Sequence, residues 1–333
     1  MHEIAFPLLV SLVVLALAFD FLNGLHDAAN SIATVVTTRL LSPVNAVLFA
    51  ALGNFAAYWI VPLHVADTIG KGIINKDMVT PAVVFGALIG AMFWNVVTWL
   101  KGIPSSSSHA LIGGLLGAGI AHGGFDAVES KKTIETVFAI FLSPMIGFAL
   151  AMLMMLLTSW LFKGFQPRRA EGVFKTLHLF SSAAYSISHG GNDAQKTMGV
   201  ITVLLYSTGH LTGDFKTPIW VVIACYTAIS LGTLSGGWKI IKTMGTKITK
   251  LNHHSGFCAS TAGSLVVFGA SAMGIPVSTT HAITGSVIGT GAARKASSVR
   301  WGVAGRVVMA WFITIPASAV VSAVFYTIAH AFS

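Results

Sequence analysis

Apolar residues run along this chain in blocks of about twenty, divided by short stretches rich in glycine, hydroxyl residues and bases. Blocks at about 4–22, 43–63, 79–100, 133–162, 174–206, 217–237, 257–273 and 302–330 are each of a length that matters, because roughly 20 helical residues cross the ~30 Å of a bilayer's hydrocarbon. Two Gly-rich runs, 104–121 and 276–292, are apolar but shorter or more broken. The pattern predicts an all-α polytopic membrane protein. Met1, His2 and Glu3 lack the basic start of a secretory signal, and the block after them leads into a polar motif rather than a small-residue cleavage site, so it reads as a first spanning helix.

Composition supports the bilayer as solvent. Of 333 residues 54% are hydrophobic and 9% charged, where a soluble domain carries about a quarter charged residues; the mean hydropathy is +0.79. The net charge of +9 is not a nucleic-acid footprint. Its bases gather in short loops between apolar blocks: Lys163, Arg168, Arg169 and Lys175; Lys239, Lys242, Lys247 and Lys250; Arg294, Lys295, Arg300 and Arg306. Such loops face the cytoplasm by the positive-inside rule. Cys225 and Cys258 stand alone in apolar runs, which offers neither a metal-ligand spacing nor a disulfide framework. No metal site and no permanently bound cofactor are expected.

The chain repeats itself. Asn23-Gly24-Leu25-His26-Asp27-Ala28-Ala29-Asn30-Ser31 matches His189-Gly190-Gly191-Asn192-Asp193-Ala194-Gln195-Lys196-Thr197 at an offset of 193 − 27 = 166. Ile103-Pro104-Ser105-Ser106-Ser107-Ser108-His109 matches Ile275-Pro276-Val277-Ser278-Thr279-Thr280-His281 at 281 − 109 = 172, and Gly113, Gly117 and Gly119 match Gly285, Gly289 and Gly291. Two repeats, 1–163 and 172–333, are expected, joined by a polar linker at 164–171 that contains Pro167. Halves with interrupted segments at matching places point to a secondary transporter whose site lies at their interface near mid-membrane.

A carboxylate within a span costs about 2.5–3.5 kcal/mol on insertion scales, so Asp27 and Asp193 need a cation or a proton. Gly24 and Gly190 would let each helix break beside its aspartate and expose carbonyls. Asp27, Asn30 and Ser31 share a helix face, as do Asp193, Lys196 and Thr197. The Pro-then-hydroxyl segments read as helix N-termini, whose free N–H groups and positive dipole end suit an anion. The hydroxyls of both segments are therefore candidate ligands for an oxyanion. The coupling ion or proton goes to Asp27, Asn30, Asp193 and Lys196, with His26, His109, His189, His281, Ser31 and Thr197 as accessories. The same serines read structurally are N-caps or small packing residues. An intramembrane hydrolase is the rival class, since Ser, His and Asp are all present, but a hydrolase needs one nucleophile and one base rather than two copies of each. A channel would call for a continuous polar pore.

These duplicated motifs, spanning residues 23 to 291, resemble the paired signatures of the inorganic phosphate transporter (PiT) family. The resemblance implies a phosphate symporter in a bacterial inner membrane, with inverted-topology halves, broken first helices, re-entrant helical hairpins carrying the hydroxyl motifs, and a homodimeric assembly; carried onto this chain, it assigns the phosphate to Ser106, Ser107, Ser108, Ser278, Thr279, Thr280 and Asn192. Sodium-coupled members have Asn where this chain has Lys196. The resemblance therefore leans to the bacterial low-affinity, proton-coupled branch, which carries phosphate together with a divalent metal. Sulfate transport by a related permease and sodium coupling stay open as alternatives.

Overall fold

The computed structural model describes residues 5–75 and 78–331. Helices α1 (Phe6–Thr37), α2 (Pro43–Ile60), α3 (His64–Gly72), α4 (Pro81–Lys101), α5 (Ser107–Gly123) and α6 (Ser130–Leu161) precede a turn at 162–166. Helices α7 (Pro167–Ser207), α8 (Ile219–Ser235), α9 (Trp238–Lys242), α10 (His253–Ala272), α11 (Thr279–Arg294) and α12 (Trp301–Ala331) follow it. The all-helical prediction holds. Six of these helices are long and apolar enough to cross a membrane, and the bent α8–α9 pair makes a seventh. α7 fails that test because its middle carries the polar motif.

Local chemistry sets the helix starts. Ser42 and Thr80 accept hydrogen bonds from the N–H groups of Asn45 and Val83, each just ahead of a proline at the first helical position. Pro167 opens α7 in the same way, so residues 167–171 of the expected linker are that helix's first turns.

The expected breaks at the two aspartates are not there. α1 runs unbroken for 32 residues and α7 for 41. The glycines beside the aspartates serve close packing instead: a Cβ on Gly24 would lie 2.1 Å from the carbonyl oxygen of Ile229 in α8, and one on Gly190 2.5 Å from the Cα of Asn54 in α2. Small residues of this kind let helix backbones touch in a membrane. The break falls elsewhere, between α8 and α9, where Gly236 takes φ +67° and the axis bends by 64°.

α4 with α5, and α10 with α11, form two hairpins, and each hairpin's second helix packs on the last helix of the other half of the chain: α5 on α12, α11 on α6. Gly117 and Gly289 make this approach, since a Cβ would lie 2.1 Å from the Ala319 carbonyl oxygen and 2.3 Å from that of Phe148. α1 and α7 cross at the centre, against α8, α2 and both hairpins.

Candidate functional site

The hairpins deliver two helix N-termini into the middle of the bundle. Ser106 caps α5 and Ser278 caps α11, each hydroxyl accepting from the N–H three residues on, at 3.2 Å. Capping uses one lone pair of each of these two candidate ligands. The N–H groups just inside the caps, on Ser107, Ser108, Thr279 and Thr280, are those that helix geometry leaves without a partner in the preceding turn. The two tips meet, with Ser108 Oγ donating to the Val277 carbonyl at 3.2 Å.

Each tip joins an aspartate in its own half. Ser107 Oγ donates to Asp27 Oδ2 at 3.1 Å, and Thr279 Oγ1 to Asp193 Oδ2 at 2.8 Å. Each tip also joins the opposite half: Asn30 donates to Thr280 Oγ1 at 2.9 Å, while the Lys196 ammonium reaches Ser108 Oγ, besides donating at 2.9 Å to the Val277 carbonyl of its own half. Asn30 and Lys196 are equivalent in the repeat, as are Thr280 and Ser108. The contacts therefore obey the repeat while crossing between halves.

Charge is balanced locally. Lys196 is only 2% exposed and pairs with Asp193 Oδ1. His189 Nε2 sits 3.2 Å from Asp193 Oδ2, poorly aligned for a hydrogen bond, and its Nδ1 is 3.1 Å from Asn54 Oδ1. His26 Nδ1 donates to Asp27 Oδ1 at 2.8 Å. Ligand atoms of Asp27, His189 and Asp193 all fall within 4.8 Å of one another, so both half-sites converge. Two carboxylates so close repel unless a cation stands between them. Here a tethered ammonium stands beside one of them, which leaves room for fewer mobile cations than the two carboxylates alone would draw.

Every residue expected at the site is buried, none more than 3% exposed, but not all face one point. Asn192 turns to α10, its amide donating to Ser271 Oγ at 2.9 Å. Ser31 Oγ and Thr197 Oγ1 are buried without a hydrogen-bond partner. His109 and His281 lie behind the tips: their rings meet at 4.3 Å, His281 stacks on Trp311 at 3.8 Å, and His109 Nδ1 donates to the Trp311 carbonyl at 3.2 Å. α6 and α12 carry internal prolines at Pro144 and Pro316, which leave carbonyls one turn earlier without their helical donor. Pro144 frees the carbonyl of Ile140, beside His281, whereas Pro316 frees that of Phe312, and His109 donates to Trp311, one residue earlier. Neither imidazole hydrogen-bonds an aspartate or a hydroxyl of the tips, and both ring nitrogens of His281 and Nε2 of His109 are buried without a partner.

Sequence reasoning missed Asp20. It lies in α1 beside Asn23 and Thr197, fully buried, with neither carboxylate oxygen hydrogen-bonded. It has no acidic counterpart in the repeat, since position 186 is Ser186, but a third carboxylate inside an apolar block was a readable signal.

The model of the phosphate transporter family matches residues 23–322. A Rhizobium meliloti protein described as a probable low-affinity inorganic phosphate transporter is 58% identical, over 97% of each chain. A Bacillus subtilis protein of the same description is 42% identical, over 98% of each. A solved structure described as the sodium-dependent phosphate transporter superposes with a TM-score of 0.91 at 27% identity, covering 98% of this chain and all of that one.

Proposed function

The chain belongs to the phosphate transporter family, and from that membership we propose that it is a symporter bringing inorganic phosphate across a bacterial plasma membrane together with protons. The two halves of the chain, 1–163 and 172–333, act as repeats around one shared site. The observation that carries the reading is the crossed hydroxyl set: Ser107 on Asp27, Thr279 on Asp193, Asn30 on Thr280 and Lys196 on Ser108. It places two helix N-termini, four hydroxyls and one ammonium around a single buried point.

A tetrahedral oxyanion suits that point. The helix N-termini supply N–H donors and positive dipole ends, the hydroxyls rotate to donate, and Lys196 supplies a full charge. On binding, Ser107 and Thr279 would turn their protons from the aspartates to the anion, which frees both carboxylates to take up cation or proton. Anion and cation are then held by the same hydroxyls, and loading one favours loading the other. A hydrolase fits poorly, because the family to which the chain belongs is one of phosphate transporters.

Lys196 favours the proton. An ammonium has donors and no acceptor, so it cannot ligate sodium where an asparagine could. Sodium is the second reading, favoured by the structural neighbour described as sodium-dependent. Divalent metal carried with phosphate would enter as cargo near Asp27.

The test is labelled uptake by the purified protein in liposomes, with phosphate, sulfate and metal-phosphate offered as cargo and proton and sodium gradients imposed singly. Phosphate accumulation on a proton gradient, collapsing with a protonophore, and its loss in Asp27→Asn and Asp193→Asn, are the expected results. Sulfate taken up in preference to phosphate refutes the substrate, and strict sodium dependence refutes the proton.

A further inference from the structure

Outside the crossed hydroxyl set lies a second group of buried polar atoms that nothing in the site uses. Both carboxylate oxygens of Asp20, Oδ1 of Asn23 and Oγ1 of Thr197 are buried and hydrogen-bond to no other group. They belong together: Asn23 and Thr197 are the polar side chains beside the Asp20 carboxylate, close to it but without a well-formed hydrogen bond, and the Cys225 thiol lies against it from α8. Three of the four atoms are pure acceptors, and the Thr197 hydroxyl is the one donor among them. Buried polar atoms in proteins are nearly always paired, and an orphaned carboxylate in a membrane interior is the costliest kind.

The group is also wired to the site. Asp20 stands seven residues before Asp27 on one face of α1, and it feels the charges of Lys196 and Asp193 from α7. The other titratable groups facing it are Cys225 and Tyr226 from α8. α4 also packs on α1, and its only charged residue is Lys101 at its last position.

Building on the symport reading above, we propose that Asp20, with Asn23 and Thr197, is a binding site for the coupling proton. Asp20 takes a proton from water on the loading side, and the resulting O–H donates to Asn23 Oδ1 or Thr197 Oγ1, which supplies the missing hydrogen. It returns that proton to water on the release side and is left as carboxylate. The charge logic couples this to phosphate. With Asp20 neutral, Lys196 divides its single positive charge between Asp193 and an incoming anion. With Asp20 ionised, the same ammonium faces a further carboxylate, and the anion meets one more negative charge. Proton and phosphate therefore bind and leave together.

The experiment separates this inference from the reading it rests on. In liposomes, phosphate-for-phosphate exchange reports binding and passage, while accumulation on an imposed pH gradient reports coupling. For Asp20→Asn, exchange should persist but lose its dependence on pH, and accumulation should fall at least tenfold. Asp20→Glu should restore accumulation with a displaced pH profile. Asp20→Asn that accumulates phosphate with the wild-type pH profile overturns the proposal. So does Asp20→Glu that exchanges phosphate yet cannot accumulate it, and that variant decides the matter if Asp20→Asn does not exchange. Wild-type protein that exchanges phosphate but accumulates it only on a sodium gradient overturns the proton site and leaves phosphate transport standing. Wild-type protein that handles no phosphate at all refutes the transport reading, and this inference with it.

Discussion

Replacing Lys196 by methionine keeps the unbranched stem and deletes one buried charge. The ammonium contacts Asp193 Oδ1, Ser108 Oγ and the Val277 carbonyl. Without it Asp193 keeps only the Thr279 hydroxyl at 2.8 Å and the misaligned His189 at 3.2 Å. Removing one partner of a buried ion pair costs about 3–5 kcal/mol, because the other charge stays behind, whereas removing both is often close to neutral. Lys196→Met should therefore destabilise by about 3–5 kcal/mol, Asp193→Asn by a smaller amount, and the double variant by less than the sum. An interaction energy of about 2–3 kcal/mol is expected, at the top of the range for contacting residues. Reversible unfolding of the four proteins in mixed micelles closes the cycle. An interaction energy below about 0.5 kcal/mol, the level at which independent sites add, would mean that the ammonium is not Asp193's partner, and the charge logic of the site would fail with it.

Ser107→Ala and Thr279→Ala should each weaken phosphate binding roughly ten- to a hundredfold, since a hydrogen bond to a charged group contributes about 1.5–3 kcal/mol; titration calorimetry that finds less than a twofold change in both places the anion elsewhere. Gly117→Ala should destabilise by about 1–3 kcal/mol, as overpacking does, because its Cβ would meet the Ala319 carbonyl oxygen at 2.1 Å. Gly172→Ala, with open space around it, is the control, and equal unfolding midpoints for the two would refute the tight α5–α12 contact. His109→Phe should lower stability by about 0.5–1.5 kcal/mol by removing its hydrogen bond to the Trp311 carbonyl while leaving proton-to-phosphate stoichiometry alone; an altered stoichiometry would return His109 to the transport site.

Much of this was legible because polar residues are scarce in an apolar chain. Asp27 and Asp193 stood out against their blocks, and the repeat paired each with a hydroxyl motif. The crossing was not legible, because a linear offset says which residues are equivalent but not which half each one meets. Thus Lys196 on Ser108 and Asn30 on Thr280 emerged only with the packing of α1 and α7 against both hairpins. Gly24 and Gly190 misled for a physical reason: a glycine permits a broken helix and a close helix crossing equally, and Ile229 and Asn54, distant in sequence, decide for the crossing. The histidines ending both hydroxyl motifs were equally ambiguous until Ile140 and Trp311, far from them along the chain, supplied their neighbours. Asp20 escaped because it has no twin.

The exchange of hairpins between the halves makes the molecule symmetric in space and lopsided in time. α11 emerges from the ribosome with its wall, α6, already made. α5 ends at residue 123, and its wall, α12, begins at residue 301. At 5–20 residues per second, the roughly 180 residues between them take about 10–35 s to synthesise. For that interval the first hydroxyl tip exists without the surface that seats it, exposed to lipid or to a chaperoning insertase. Lesions in the last helix should therefore strike the site built by the first third of the chain, and a released chain truncated before residue 301 should leave α5 open to protease while α11 keeps its wall.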